Sequence, residues 1–127
     1  MKTPVDCPCG GGRYTACCGR WHAGAPAPTA VDLMRSRYSA FVLGLADYLL
    51  ATWHPDKRPA ALDLDESPAP KWIGLDVRAH AEDGDQASVE FLARYKVGGR
   101  AHRLHETSRF LRIEGKWFYL DGIIDET

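Results

Sequence analysis

Four cysteines lie close together near the N-terminus, and the rest of the chain contains none. They form the pattern C-x-C, seven residues, then C-C, within the stretch CPCGGGRYTACCG. Four thiolates satisfy the preference of Zn²⁺ for a closed tetrahedral site, in which each Zn–S bond is about 2.3 Å long. The proline and the glycines between them allow the tight backbone path that such a site needs. The predicted zinc ligands are Cys7, Cys9, Cys17 and Cys18.

Two alternatives to this four-cysteine site remain open. Disulfides would include strained pairings such as Cys17 with its neighbour Cys18, and a reducing cytoplasm disfavours them. His22 follows Cys18 by four residues and could replace one cysteine, because imidazole also binds zinc. Four cysteines already complete a tetrahedral shell, so we favour His22 as a neighbour of the site.

The composition is that of a soluble globular protein of single-domain size. The chain has 127 residues, of which 45% are hydrophobic and 26% charged, and its formal net charge is -1. No apolar run reaches the roughly 20 residues that span a bilayer, and the N-terminus lacks a signal-peptide core. We therefore expect a cytoplasmic protein with no membrane partner. The balanced charge makes nucleic acid an unfavoured partner, because phosphate contacts need uncompensated basic residues.

The cysteine stretch resembles the SEC-C motif, a small zinc-binding module. Its usual form is C-P-C-G-S-G, a few basic residues and a tyrosine, then C-C or C-H. The matching residues are Cys7, Pro8, Cys9, Gly10, Gly12, Tyr14, Cys17 and Cys18. Gly11 stands where serine is usual, and the loop between the cysteine pairs is one residue short. In the protein-export ATPase the motif binds zinc and contacts a chaperone, so the resemblance implies zinc and a protein partner. We call residues 1–22 the zinc knuckle.

After a small-residue linker at 23–28, the pattern predicts two helices. Thr29 has the position of an N-cap, with Asp32 as the acid of a capping box. We expect helices over 30–43 and 46–53, interrupted near Gly44 and ended by Pro55. The predicted buried stripe is Met34, Tyr38, Phe41, Leu45, Tyr48 and Leu49. Arg35 and Arg37 are expected on the solvated side.

The second half of the chain has the two-residue period of strands. A proline-rich, acidic loop at 55–70 precedes four predicted strands, at about 72–81, 86–97, 102–113 and 116–123. Short turns make neighbouring strands antiparallel, so the fold class is α+β. The core face of the second strand should carry Val89, Phe91, Ala93, Tyr95 and Val97.

Several stretches of residues 29–127 are similar to the YchJ-like bacterial proteins. They are LMRSRYSAF, YLLATWHP, WIGLDV, VEFLARY, ETSRF and WFYLDG. These proteins join a SEC-C motif to a domain of the nuclear-transport-factor-2-like fold. The resemblance implies a zinc knuckle followed by a cone-like domain, in which helices lie on a curved four-stranded antiparallel sheet. It implies no established activity.

Three side chains are candidates for chemistry in the pocket of such a cone. His54 could act as a general base, or it could cap the end of the second helix. Glu106 shares a strand face with Phe110, so it could be a pocket base or could form an ion pair with an arginine such as Arg94. Arg109 could orient an anionic substrate. Asp121 is either a turn residue or a second pocket acid.

Two functional hypotheses follow from these residues. The first is a cytoplasmic zinc-binding adaptor or accessory protein that uses the knuckle for protein contact and the cone for a ligand or partner. The second is a small-molecule isomerase or hydrolyase that works in the cone pocket with His54, Glu106 and Arg109. RNA contact through the knuckle would need a basic patch that the sequence does not reveal.

Overall fold

The helices occupy the first half of the chain and the strands the second, as the sequence predicts for an α+β fold. The computed structural model describes residues 5–62, 64 and 70–124. A 3₁₀ turn spans Tyr14–Ala16, and the helices are α1 (Cys18–His22), α2 (Ala30–Leu43) and α3 (Ala46–Ala51). The strands are β1 (Lys71–Asp83), β2 (Gln86–Val97), β3 (Arg100–Ile113) and β4 (Lys116–Ile124). None of the helices in these ranges is long and apolar enough to cross a membrane.

Both ends of α2 are set by the residues that the sequence indicates. The Asp32 amide donates to Thr29 Oγ1 at 3.0 Å, which confirms the N-cap. Gly44 has φ 74° and ends α2, because this left-handed conformation suits glycine. The second helix was predicted to reach residue 53, but α3 ends at Ala51.

The shorter α3 has a cause in the backbone of the next three residues. The Tyr119 amide donates to the Thr52 carbonyl at 2.8 Å, and the His54 amide donates to the Tyr119 carbonyl at 2.7 Å. The chain therefore leaves the helix to bond to β4. This bridge fixes Trp53 beside Tyr119, with ring centroids 5.4 Å apart.

The four strands form one antiparallel sheet in the order β1-β2-β3-β4. Two-residue turns connect them, and the turn between β2 and β3 needs glycine because Gly98 and Gly99 have φ of 58° and 82°. The predicted strand bounds agree with the structure to within two residues. Register shifts interrupt β1 after Trp72 and after Val77, and these irregularities bend an edge strand.

The core lies between α2 and one face of the sheet and continues into the zinc knuckle. Val89, Phe91 and Ala93 are buried on β2, as predicted, whereas Tyr95 and Val97 are half-buried. Three of the four cysteines belong to the same buried cluster as Met34 and Tyr38 of α2. Phe41 of the predicted stripe is 37% exposed.

The expectation that Arg37 lies on the solvated side is wrong. The residue is 6% exposed, and its Nη1 donates to the Leu49 carbonyl at 2.7 Å and to Thr52 Oγ1 at 2.6 Å. Its guanidinium also lies over the Tyr119 ring, 4.6 Å from the centroid. The arginine thus satisfies polar groups at the end of α3, a role that helical periodicity cannot indicate.

Candidate functional site

The four cysteine sulfurs form a compact cluster at the N-terminal end of the molecule. All four Sγ atoms lie within 4.8 Å of one another. The separations are 3.5 Å for Cys9–Cys17, 3.7 Å for Cys9–Cys18 and 4.0 Å for Cys17–Cys18. Four sulfurs at the corners of a tetrahedron around an ion at 2.3 Å would be about 3.8 Å apart. The cluster therefore has the dimensions of a four-thiolate metal site.

The backbone of the knuckle folds tightly to bring these sulfurs together. The Cys7 amide donates to the Gly12 carbonyl at 2.7 Å, and the Gly10 amide donates to the Cys7 carbonyl at 3.0 Å. A Cβ on Gly11 would lie 2.7 Å from Cys17 Sγ and 3.3 Å from Cys9 Sγ. The knuckle therefore leaves no room at Gly11 for the serine side chain that is usual in the SEC-C motif.

The thiols of the cluster interact strongly with one another. Hydrogen bonds from the neighbouring thiols, above all Cys18, lower the pKa of Cys9 to about 4 despite its burial. Burial and the interaction with Cys9 raise the pKa of Cys17 to about 11, and the interaction with Cys9 and burial also raise the pKa of Cys18. A cation among the sulfurs would favour deprotonation of all four, which is the chemistry of a metal site.

His22 holds the knuckle against α2 and does not join the cysteine cluster. Its Nε2 donates to the Ser36 carbonyl at 2.8 Å, and the Tyr14 hydroxyl donates to its Nδ1 at 2.5 Å. Both ring nitrogens are therefore engaged, so the alternative of a histidine ligand loses its support. A second contact joins Cys7 Sγ to Ser39 Oγ at 3.4 Å. Ser36 and Ser39 are two polar residues one turn apart on the buried side of α2. The sequence analysis did not use them, although they indicate where the knuckle contacts this helix.

A cavity of about 200 Å³ lies between α2 and the sheet. Its walls are mainly aromatic and apolar, and three polar residues reach it: Arg37, Glu106 and Ser108. The aromatic lining residues are Tyr38, Phe41, Trp53, Trp72, Phe91, Phe110 and Tyr119. The predicted cone pocket is therefore present, and Arg37 is a lining residue that the sequence analysis missed.

Glu106 faces this cavity, as one of the two sequence hypotheses proposed. The Ser108 hydroxyl donates to its Oε2 at 2.5 Å. Its carboxylate lies against Gly122 so closely that a Cβ there would overlap it. Arg94 is not its partner, because Arg94 lies on the other face of the sheet, 4.0 Å from Asp76.

The other predicted pocket residues lie outside the cavity wall. His54 Nδ1 accepts from the Asp56 amide at 3.1 Å, in the turn that follows α3. Arg109 donates through Nε to Asp121 Oδ1 at 2.6 Å on the opposite face of the sheet. This hydrogen bond lowers the pKa of Asp121 below its usual value. Asp121 is therefore a β4 residue paired with Arg109 and is neither a turn residue nor a pocket acid.

The sheet register assembles a group of basic side chains that the sequence analysis did not find. Lys71 lies opposite Lys96, and Arg94 lies opposite Arg103. All four are exposed, on the face of the sheet away from the cavity. They are scattered over three strands, so only the register shows that they are neighbours. That nucleic acid is not a partner stays a prediction.

Comparison with known sequences gives consistent matches over nearly the whole chain. The family profile described as "YchJ, middle NTF2-like domain" matches residues 29–122. A UPF0225 protein from Chromobacterium violaceum is 60% identical over 124 residues, which cover 93% of this chain and 92% of that protein. A UPF0225 protein from Methylibium petroleiphilum is 60% identical over 127 residues, which cover 96% and 90%.

Two solved structures share the fold, including the knuckle. A SEC-C motif containing protein from Rhodopseudomonas palustris, solved in solution, has a TM-score of 0.83 at 32% identity and covers 95% of this chain and 99% of its own. A crystal structure of a SEC-C motif containing protein from Psychrobacter arcticus has a TM-score of 0.74 at 31% identity, covering 100% and 77%. Together with the sulfur geometry, these likenesses point to a metal site in the knuckle.

Proposed function

This chain belongs to the YchJ-like (UPF0225) family, and on that premise we propose that it is a cytoplasmic zinc-binding accessory protein. Zinc stabilises the knuckle, the outer surface of the knuckle contacts a protein partner, and the NTF2-like unit binds a ligand. The observation that carries the proposal is the closed cluster of four cysteine sulfurs within 4.8 Å of one another. A cation held there has all four coordination positions occupied by protein, so its role is structural.

The choice of zinc is supported by the donor set. Four thiolates at tetrahedral spacing suit Zn²⁺, whereas Mg²⁺ and Ca²⁺ require oxygen ligands. Bound zinc would supply folding free energy to a segment that has almost no apolar core of its own. Cys7, Cys9, Cys17 and Cys18 would hold it, and the Gly11 amide would donate to the Cys9 sulfur.

X-ray absorption at the zinc edge tests this part of the proposal directly. The expected spectrum has four sulfur neighbours at about 2.3 Å and no nitrogen neighbour. His22→Ala should leave that spectrum unchanged, because His22 bonds to Tyr14 and Ser36. A spectrum with three sulfurs and one nitrogen would contradict the four-cysteine site.

The protein contact is supported by the way the knuckle sits on the molecule. One side is anchored to α2 through His22 and Cys7, and the other side is open. On the open side Val5 is 71% exposed, Arg13 is exposed, and Arg20 lies 4.3 Å from the centroid of the Trp21 ring. A mixed apolar and basic surface on a rigid support suits a partner segment that carries apolar and acidic side chains.

A pair of matched double variants tests the contact surface. Val5→Asp with Arg13→Glu changes the open side of the knuckle, and Ile123→Asp with Arg78→Glu makes the same chemical change on the sheet. The measurement is crosslinking in cells followed by quantitative mass spectrometry. We expect the amount of one crosslinked partner protein to fall at least tenfold for the knuckle variant and to stay unchanged for the sheet variant. Equal capture by both variants, with equal zinc content, would contradict a contact through the knuckle.

An enzymatic role is the second candidate, and one observation favours it. Glu106 lies in the wall of a cavity that Arg37 also lines, so a carboxylate base and a cationic anchor face the same space. His54 and Arg109 lie outside the lining, so this proposal rests on Glu106 with Arg37 in the orienting role. Glu106→Gln should abolish any turnover found in a screen, and His54→Ala should not.

A further inference from the structure

The Arg37 guanidinium carries a buried charge with no direct ion pair among the described residues. Its Nη1 donates hydrogen bonds to the Leu49 carbonyl and to Thr52 Oγ1. Its Nε and Nη2 make no hydrogen bond to any residue in the described ranges. The side chain is nevertheless 6% exposed. Among the residues that the structure describes, the charge is met only through space by Glu106 and by the faces of the Tyr119 and Trp53 rings. An anion that enters the cavity would compensate this charge.

The wall that β3 contributes to the cavity has the opposite character. Glu106 and Ser108 line the cavity from β3, whereas Arg37 lines it from α2. The Glu106 charge favours the Arg37 cation through space, but the two groups do not form an ion pair. Its Oε2 accepts from Ser108, whereas Oε1 makes no hydrogen bond to the described residues. This end of the cavity therefore repels anions and accepts hydrogen bonds.

The aromatic lining of the cavity suits a flat ring. Tyr38, Trp72, Phe91 and Tyr119 contribute aromatic walls, and Ala93 leaves room between them. The cavity measures about 200 Å³, and an engineered apolar cavity of about 150 Å³ already accommodates benzene. Trp53 also lines the cavity, and its buried indole N–H has no partner in the part of the chain that is described. The Arg37 guanidinium lies 5.3 Å from the centroid of the Trp53 ring.

We propose that the cavity binds a small planar aromatic carboxylic acid that carries a hydrogen-bond donor opposite its carboxylate. The carboxylate accepts from Arg37, the ring lies among the aromatic walls, and the donor bonds to Glu106. A second carboxylate at that end would be repelled by Glu106, so dicarboxylates are excluded. The inference rests on the ligand-binding role that the proposed function gives to the NTF2-like unit.

Titration calorimetry on the full chain, purified from cells without chelator or added metal, tests the proposal with three compounds of similar size. The probes are 4-hydroxybenzoate, benzoate and the neutral 4-hydroxybenzamide. We expect one 4-hydroxybenzoate per chain, at least tenfold weaker binding of the amide, and weaker binding of benzoate, which lacks the donor. Equal affinity for the acid and the amide, or no binding of any probe at millimolar concentration, would overturn the proposal.

Two variants distinguish ligand binding in the cavity from ligand binding at the protein surface. Arg109→Gln removes an arginine outside the cavity and should leave the affinity for 4-hydroxybenzoate unchanged. Ala93→Leu fills the cavity and should abolish binding, and the comparison of probes on the unmodified protein stands even where that variant fails to fold. Unchanged binding by a folded Ala93→Leu protein would place the ligand elsewhere and overturn the proposal.

The zinc content of the same sample distinguishes this inference from the function on which it rests. One zinc per chain with no ligand binding would reject the aromatic acid and leave the accessory-protein proposal standing. Absence of zinc from a folded chain would instead reject the proposed function.

Discussion

At the scale of single residues, Gly11 shows how closely the knuckle is built around its sulfurs. A Cβ at this position would lie 2.7 Å from Cys17 Sγ, closer than ordinary carbon–sulfur contacts permit. We expect Gly11→Ala to weaken zinc binding at least tenfold, or about 1.4 kcal/mol, in competition with a chelating dye. Gly74→Ala is the matched control, because a Cβ on Gly74 would meet nothing within 4 Å. Equal zinc affinity of the two variants would contradict the packing.

The thiol pKa values give the pH dependence of metal binding. Cys9 has a pKa of about 4 and is a thiolate at neutral pH, whereas Cys17, at about 11, and Cys18 keep their protons until metal binds. Binding therefore releases at least two protons, and lower pH opposes it. We expect zinc affinity to fall at least about 100-fold from pH 7.5 to 6.5. An affinity that does not change over this range would contradict the assignment of protonated thiols.

Arg37 is the residue whose role differs most from its sequence pattern. Arg37→Ala would remove two hydrogen bonds at the end of α3 and enlarge the cavity, so we expect a loss of about 2–4 kcal/mol in the free energy of unfolding. Arg35→Ala, the control, should cost less than about 1 kcal/mol, because Arg35 is half-buried and makes one 3.3 Å bond. Urea denaturation measures both, and equal losses would contradict a structural role for Arg37.

At the scale of elements, local signals predicted the fold well. The cap at Thr29, the glycine at 44 and the glycine turns are chemical features of a few adjacent residues, so one sequence reveals them. The end of α3 was missed because it depends on backbone bonds from Thr52 and His54 to Tyr119, more than sixty residues away. The burial of Arg37, and not of Arg35, likewise depends on the contacts that α2 makes with the rest of the fold.

The paired basic residues of the sheet lead to a prediction about strand stability. Arg94 lies directly opposite Arg103, and like charges in this position are destabilising. Arg103→Glu should raise the melting temperature by a modest amount, corresponding to a few tenths of a kcal/mol. Lys116→Glu makes the same charge change at the start of β4, opposite Ile113, and should raise it less. A lower melting temperature for Arg103→Glu would contradict the prediction that the arginine pair destabilises the sheet.

At the scale of the whole molecule, the knuckle and the NTF2-like unit share one core. Cys7, Cys9 and Cys18 are buried in the same cluster as Met34 and Phe110. The cysteine spacing alone predicted the cluster, because its four members lie within twelve residues of sequence. The cavity could be expected only from the family resemblance, since α2, the turn after α3 and all four strands contribute to its wall.

The central claim is that four cysteines hold one structural zinc ion in this protein. A native mass spectrum of protein purified gently from cells, without chelator, measures the metal and the thiol state together. The account predicts one zinc per chain with all four cysteines reduced. A metal-free chain whose mass is lowered by two disulfides would contradict it.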